Sequence, residues 1–149
     1  MNRIMLLAIV ALCNTAQAFD SPQALQDGFM GAFRANDAEG MAACYTADAT
    51  NYPPEAMSGT GPDAVRASWG EFFKQYRVMG VELSNKHMEV SGDLAAAWGL
   101  FTITAEPVGG GEPVVMAGRY TDVSRNIGGS WLYVADHASM PLPAPAPEK

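Results

Sequence analysis

Residues 118–139 read GRYTDVSRNIGGSWLYVADHAS and crowd six polar side chains together: Arg119, Tyr120, Asp122, Tyr133, Asp136 and His137. Proton transfer near neutral pH needs a histidine, or a carboxyl group whose pKa burial has raised. Asp122, Asp136 and His137 are of those types, so acid–base chemistry is the first candidate. Two alternating runs flank Gly128–Gly129, the signature of a hairpin. The hairpin brings Asp122 within reach of the Asp136–His137 end. Side chains alternate across a sheet, so Asp136 and His137 point to opposite faces. Tyr120 and Asp122 share one face, and Arg119 and Thr121 share the other. Facing inward, Arg119 would bind a carboxylate or another anion, because its guanidinium matches that shape. Facing outward, it would pair with an acid across a subunit interface or meet solvent.

Other chemistries find less support. The chain has two histidines, His87 and His137, in no metal-ligand spacing, so no metal is expected. GGGEP lacks the lysine and following helix of a phosphate loop, and no serine sits in a nucleophile elbow. No cofactor is expected. Cys44 is the one cysteine beyond the leader-like start, so no internal disulfide can form. It reads as a small buried hydrophobe on a short helix. The chain carries a net charge of −7. Acids scattered over such a surface repel phosphate backbones, which argues against nucleic acid as a partner.

The elements that must position the hairpin can be read in order. MNRIMLLAIVALCNTAQA has a basic start, an apolar run and an Ala-Gln-Ala ending, so residues 1–18 read as a secretory signal peptide. The apolar run is too short to span a membrane. Cleavage after Ala18 would leave 131 of the 149 residues, a domain over 19–140 and a Pro/Ala tail over 141–149 expected to be disordered. The mature protein is expected in the periplasm or secreted, with no membrane association.

Ser21 and Pro22 open a first helix with Leu25, Phe29, Ala32 and Phe33 on one face. Asp37 caps a second, short helix. A third starts at Pro62 or Asp63 after a loop, SGTGPDAV, with Val65, Trp69, Phe72, Phe73 and Tyr76 as a core stripe. From Val78 onward four runs read as strands joined by SGD, GGGEP and NIGGS. Helices first and antiparallel strands second make an α+β fold. Three N-terminal helices on a strongly curved antiparallel sheet form a cone, whose open end is a natural pocket. Tyr52 would cover its mouth, and Trp69, Trp98 and Phe101 would wall it.

The order of elements resembles the SnoaL-like, ketosteroid-isomerase-like domains of the nuclear-transport-factor-two superfamily, over roughly Ser21 to Met140. The carrying residues are Tyr45/Asp48/Ala49/Thr50 after the second helix, the turn Gly129/Ser130/Trp131, and the late pair His137/Ser139. The resemblance implies the cone (cystatin-like) fold. It does not fix an activity, because one fold hosts many. In the isomerase, an Asp base faces an oxyanion hole made of a Tyr and a protonated Asp. Here the base position falls on Asn51, Tyr52, Pro53 and Pro54, without a carboxylate, and the tyrosine position falls on Phe29. Asp122 alone has a counterpart. The expected role is therefore binding of a small, partly apolar molecule, with Tyr52, Trp69, Trp98, Arg119, Tyr120 and Asp136 as contacts. The alternative is a small acid–base enzyme of isomerase, cyclase or dehydratase type using Asp122 or His137. A homo-oligomeric assembly module is the third. A homodimer through the exposed sheet face is expected in each case.

Overall fold

A computed structural model describes residues 18–54 and 56–141. The leader-like segment up to residue 17 and the tail from residue 142 lie outside the described residues. Ser21 caps α1 (Pro22–Arg34), its hydroxyl accepting the Ala24 N–H at 3.1 Å. Pro22 fits the first turn because the N–H it lacks would have no partner there. Asp37 caps α2 (Ala38–Ala42) by accepting the Gly40 N–H at 3.0 Å. The third helix, α3 (Gly61–Gln75), starts at Gly61, whose φ is +74° and whose missing Cβ would lie 2.5 Å from the Ala47 carbonyl oxygen. Only glycine fits that turn.

Tyr76 differs from expectation. Its backbone is extended (φ −133°, ψ 139°) and opens the next strand instead of closing the helix. Its ring still packs on Phe72 at 5.3 Å, so the apolar contact survives the change of backbone.

Six strands follow the order β2-β1-β6-β5-β4-β3: β1 (Tyr45–Tyr52), β2 (Gly59–Thr60), β3 (Tyr76–Ser91), β4 (Leu94–Pro107), β5 (Val114–Ile127) and β6 (Ser130–Ser139). The meander β3 to β6 is antiparallel throughout. The sheet as a whole is mixed, which corrects the antiparallel expectation, because β1 lies parallel to β6. Short joints fix only neighbours in sequence; β1 and β6 are far apart in the chain. Strand β2 falls inside the stretch read as a loop, since two residues carry no alternation signal.

The helices cover the concave face of this sheet and close two apolar clusters against it. One includes Leu25, Tyr45, Trp131 and Tyr133; the other includes Met30, Phe33, Val81 and Ile103. Phe29 and Trp69 pack against both. Register shifts at Val78/Gly80 and Ser84/His87 on β3, and at Val123/Ser124 beside β6, bend the strands around the helices. Phe19 ties the start of the domain to β6. Its N–H donates to Ser130 Oγ at 3.1 Å, and its carbonyl accepts the Trp131 N–H at 2.8 Å.

Small residues on β4 leave room for aromatic rings. A Cβ at Gly99 would lie 2.9 Å from the Ser84 carbonyl oxygen and 3.0 Å from a ring carbon of Tyr120. Gly99→Ala is expected to destabilise the fold by about 1–3 kcal/mol, the usual range for overpacking. Urea unfolding measures this; an unchanged midpoint would show that the Tyr120 ring gives way freely.

Candidate functional site

Between α1, α3 and the concave sheet face lies a cavity of about 80 Å³, room for several waters or a small ligand fragment. Its walls are apolar: Phe29, Met30 and Phe33 from α1, Trp69 from α3, Val81 and Leu83 from β3, Phe101 and Ile103 from β4. Its floor is polar, built by Asn51, Tyr120, Asp122 and Asp136. Tyr52, Pro53 and Pro54 stand at the end of β1. Pro53, Pro54, Trp69, Phe101 and Ile103 also border a wider groove of about 650 Å³, so cavity and groove adjoin.

Register explains the floor. Asn51 pairs with Asp136 across β1–β6, Asp136 with Asp122 across β6–β5, and Asp122 with Ala97 across β5–β4. Directly opposed side chains stand roughly 5 Å apart at Cβ, so the two carboxyl groups meet. One can donate its proton to the other, and they titrate as a pair. Burial lifts the Asp122 carboxyl well above the usual carboxylate range, and the charge of Asp136 lifts it further. Asp136 is also raised by burial, but two donors oppose this: the Tyr45 hydroxyl and Asp122. The Tyr45 O–H donates directly to Asp136 Oδ2. Burial first, then the Asp136 charge, keeps the Tyr45 phenol protonated far above its ordinary range. Of the two, Asp136 is the more readily ionised and Asp122 the one that keeps a shared proton, because the Tyr45 hydroxyl donates to Asp136 alone. Gln26, buried on α1, donates to the Tyr120 hydroxyl at 3.4 Å and orients it.

The structure divides the residues singled out in the sequence. Tyr52, Trp69, Tyr120, Asp122 and Asp136 line the cavity. Three do not. His137 is exposed on the opposite face of β6, its ring edge-on to Tyr52 at 6.4 Å, and reaches Asp136 only through its charge. Trp98 lies on the outer face of the sheet, stacked on His87 at 5.4 Å, so it walls no pocket. Arg119 is exposed on that same outer face, beside Ser84 and Thr102. Alternation is the cause in all three, since the odd positions of β5, the even positions of β4 and His137, which pairs with Thr121, point away from the helices.

Sequence reasoning does not assign Tyr45 or Asn51 to the site, and it names Tyr133 in the hairpin without placing it beside Asp136. Tyr133 and Asp136 both point inward although three residues apart, which strict alternation forbids. Val123 pairs with Ala135 but Ser124 with Tyr133, so Val134 is an extra residue that shifts the phase. The parallel pairing that sets Asn51 beside Asp136 leaves no local signal. Its one trace is the Tyr–x–x–Asp–Ala–Thr segment just before it.

Cys44 takes no part. It is fully buried between α2 and β1, and burial pushes its thiol up to about 12. Only the thiolate reacts, so Cys44 in the folded protein is expected to resist iodoacetamide at about pH 8 and to label fully in urea. Mass spectrometry distinguishes the two; rapid native labelling would show that this region opens readily. Among the described residues no group of three or more His, Cys, Asp or Glu is placed to hold a metal, and no helix is long and apolar enough to cross a membrane.

The family model described as SnoaL-like domain matches residues 27–134. No curated protein matches the chain significantly. Among solved structures, a ketosteroid isomerase-like protein from Erwinia carotovora atroseptica superposes with a TM-score of 0.70 at 20% identity, covering 81% of this chain and 94% of that one. A scytalone dehydratase candidate from Novosphingobium aromaticivorans gives 0.72 at 15% identity, covering 80% and 81%. A candidate calcium/calmodulin-dependent protein kinase II association domain from Xanthomonas campestris gives 0.72 at 20%, covering 82% and 86%. At such identities the likeness is one of fold, and the three descriptions span isomerase-like, dehydratase and association roles. The match of the family model over most of the chain settles kinship: this protein belongs to the SnoaL-like domain family.

Proposed function

We propose that the cavity binds a small, mostly apolar molecule and moves a proton on it, with Asp136 as base and Asp122 as acid. The observation that carries this reading is the opposed carboxyl pair under apolar walls, one member receiving the Tyr45 hydroxyl and the other lifted well above the usual carboxylate range. A general base and a general acid poised side by side can take a proton from carbon and return one to oxygen, the common core of isomerisation and dehydration. The described relatives of isomerase-like and dehydratase type agree with this class. Acetophenone in deuterated buffer is a simple probe, because its methyl protons exchange when a base removes them. The protein is expected to speed this exchange at least about 100-fold over buffer, and Asp136→Asn to lose the gain. Saturable binding without exchange would reduce the role to binding.

The outer sheet face exposes Trp98, Leu100 and Val115. We assign it to pairing of two copies, and sedimentation at micromolar concentration is expected to give a dimer mass. A monomer would overturn this.

A further inference from the structure

Asn51 is 5% exposed and shares the inward face of β1 with the buried Ala49. It lines the cavity and stands opposite Asp136 in the sheet register. Every other polar side chain of the cavity floor has a partner in the protein. Gln26 serves the Tyr120 hydroxyl, Asp122 meets Asp136, and Asp136 also receives Tyr45. The Asn51 amide has none among the described residues. Buried amides are almost always paired, because an unpaired one has lost its water and gained nothing. Among the described residues, the partnerless polar side-chain atom that is wholly enclosed is the Trp69 indole nitrogen. The Asn51 amide is partnerless without being enclosed, so it opens on the space it borders, and that space is the cavity.

We infer that the Asn51 amide donates to the substrate's carbonyl oxygen while Asp136 takes the proton from the carbon beside that carbonyl. The inference rests on the proton transfer proposed above and adds the group that meets the charge it creates. As the Asp136 carboxylate removes the proton, the C–H electron pair forms a C=C bond and the C=O π pair moves onto oxygen. That oxygen carries the negative charge until Asp122 gives it a proton. A fixed donor placed there stabilises the charge where it develops. Asn51 suits the task in its chemistry and in its place. Its N–H donates without a titrating proton, so it does not form an ion pair with the base. The carboxyl pair draws the positive NH2 end of the amide dipole toward the reacting side. Neighbouring strands set Asn51 and Asp136 about 5 Å apart, which fits a ligand whose oxygen and acidic C–H sit on adjacent carbons. Among the described residues no arginine, lysine or histidine lines the cavity, so a carboxylate or phosphate would meet no cation there. The substrate is thus a neutral carbonyl compound with an α-hydrogen, and Asn51 is a catalytic residue that touches its oxygen.

The test combines exchange kinetics with infrared spectra of acetophenone bound to the full chain, its carbonyl carbon labelled with 13C to clear the protein bands. Asn51→Leu keeps the side-chain shape and lacks the donor. The bound carbonyl stretch is expected at lower frequency in the wild type than in this variant. Exchange at saturating acetophenone is expected to fall about 10²–10³-fold, the usual effect of losing one such donor. Binding is expected to weaken only about 5-fold, the ordinary worth of one net hydrogen bond. A merely structural Asn51 would instead weaken acetophenone and its hydrocarbon counterpart ethylbenzene alike and leave the stretch unmoved. Equal stretches in the two proteins, with binding retained, overturn the inference and leave the carboxyl pair standing. A second reading needs no variant. In the 15N-labelled wild type, acetophenone is expected to move the Asn51 Nδ2 protons downfield and ethylbenzene to leave them in place; an amide that ignores both probes while Phe29, Val81 and Ile103 respond also overturns it. If acetophenone neither binds the wild type nor exchanges faster, the proposed function falls and takes the inference with it.

Discussion

Asp122→Asn is expected to yield a protein more stable than the wild type at alkaline pH, and less dependent on pH. The carboxyl starts near 3.8 in the unfolded chain and is raised in the folded one, by burial first and by Asp136 second. Between those two values the folded state holds a proton that the unfolded state has released. Unfolding free energy therefore falls as pH rises. The contribution is fully present below about 3.8 and is lost as pH climbs through the folded-state value. Each unit of displacement corresponds to about 1.4 kcal/mol. An Asn has the same shape, never ionises, and can still donate to Asp136 as the protonated acid does. Its expected gain is on the order of 1 kcal/mol or more at about pH 8, shrinking toward zero near pH 4. Urea unfolding of both proteins across that range measures the difference. A variant less stable than wild type throughout, with the same slope, would show that the Asp122 carboxyl is not strained by its surroundings. A site that weakens the fold when charged is the usual mark of a residue kept for chemistry.

About half of this site is legible in the amino-acid sequence. Tyr120 and Asp122 on one face, with Arg119 on the other, follow from period two alone. So does the separation of Asp136 from His137. What local pattern cannot supply is the partner strand. Asn51 and Tyr45 reach the Asp136 neighbourhood because β1 inserts beside β6, and parallel pairing of distant strands leaves no mark on the residues between. The extra residue at Val134 hides Tyr133 in the same way, since a bulge reverses the phase of everything beyond it. Trp69 marks a different limit. Its place on a core stripe is plain from helical spacing, whereas its unpaired N–H exists only in the packed protein. Trp98 shows the converse error: an aromatic residue that suggests a pocket wall, although alternation puts it outside.

Asp136→Asn and Tyr45→Phe are expected to separate the two halves of the proposed chemistry. Asp136 is the more readily ionised member because it receives two donors while Asp122 receives none from a hydroxyl. Removing its basicity should lower acetophenone exchange by about 10²–10⁴, the usual contribution of a positioned base. Tyr45→Phe leaves the carboxylate in place but deletes the O–H that favours its ionised form. The Asp136 pKa must then rise, since the remaining causes are burial, which raises it, and weaker opposing contacts. The acidic limb of the rate profile is expected to move to higher pH, with the rate recovering above it. A structural role for Tyr45 would instead lower the rate equally at every pH. Carbon-13 NMR of the aspartate carboxyls reads the same displacement without a substrate, and an unmoved Asp136 titration in Tyr45→Phe would break the assignment. The Tyr45 hydroxyl thus does for Asp136 what a nearby cation does elsewhere, and no cationic side chain lines this cavity among the described residues. A hydroxyl donor lowers the pKa without adding a charge. That suits a pocket that must admit neutral, apolar molecules and still keep one carboxylate ready to accept a proton.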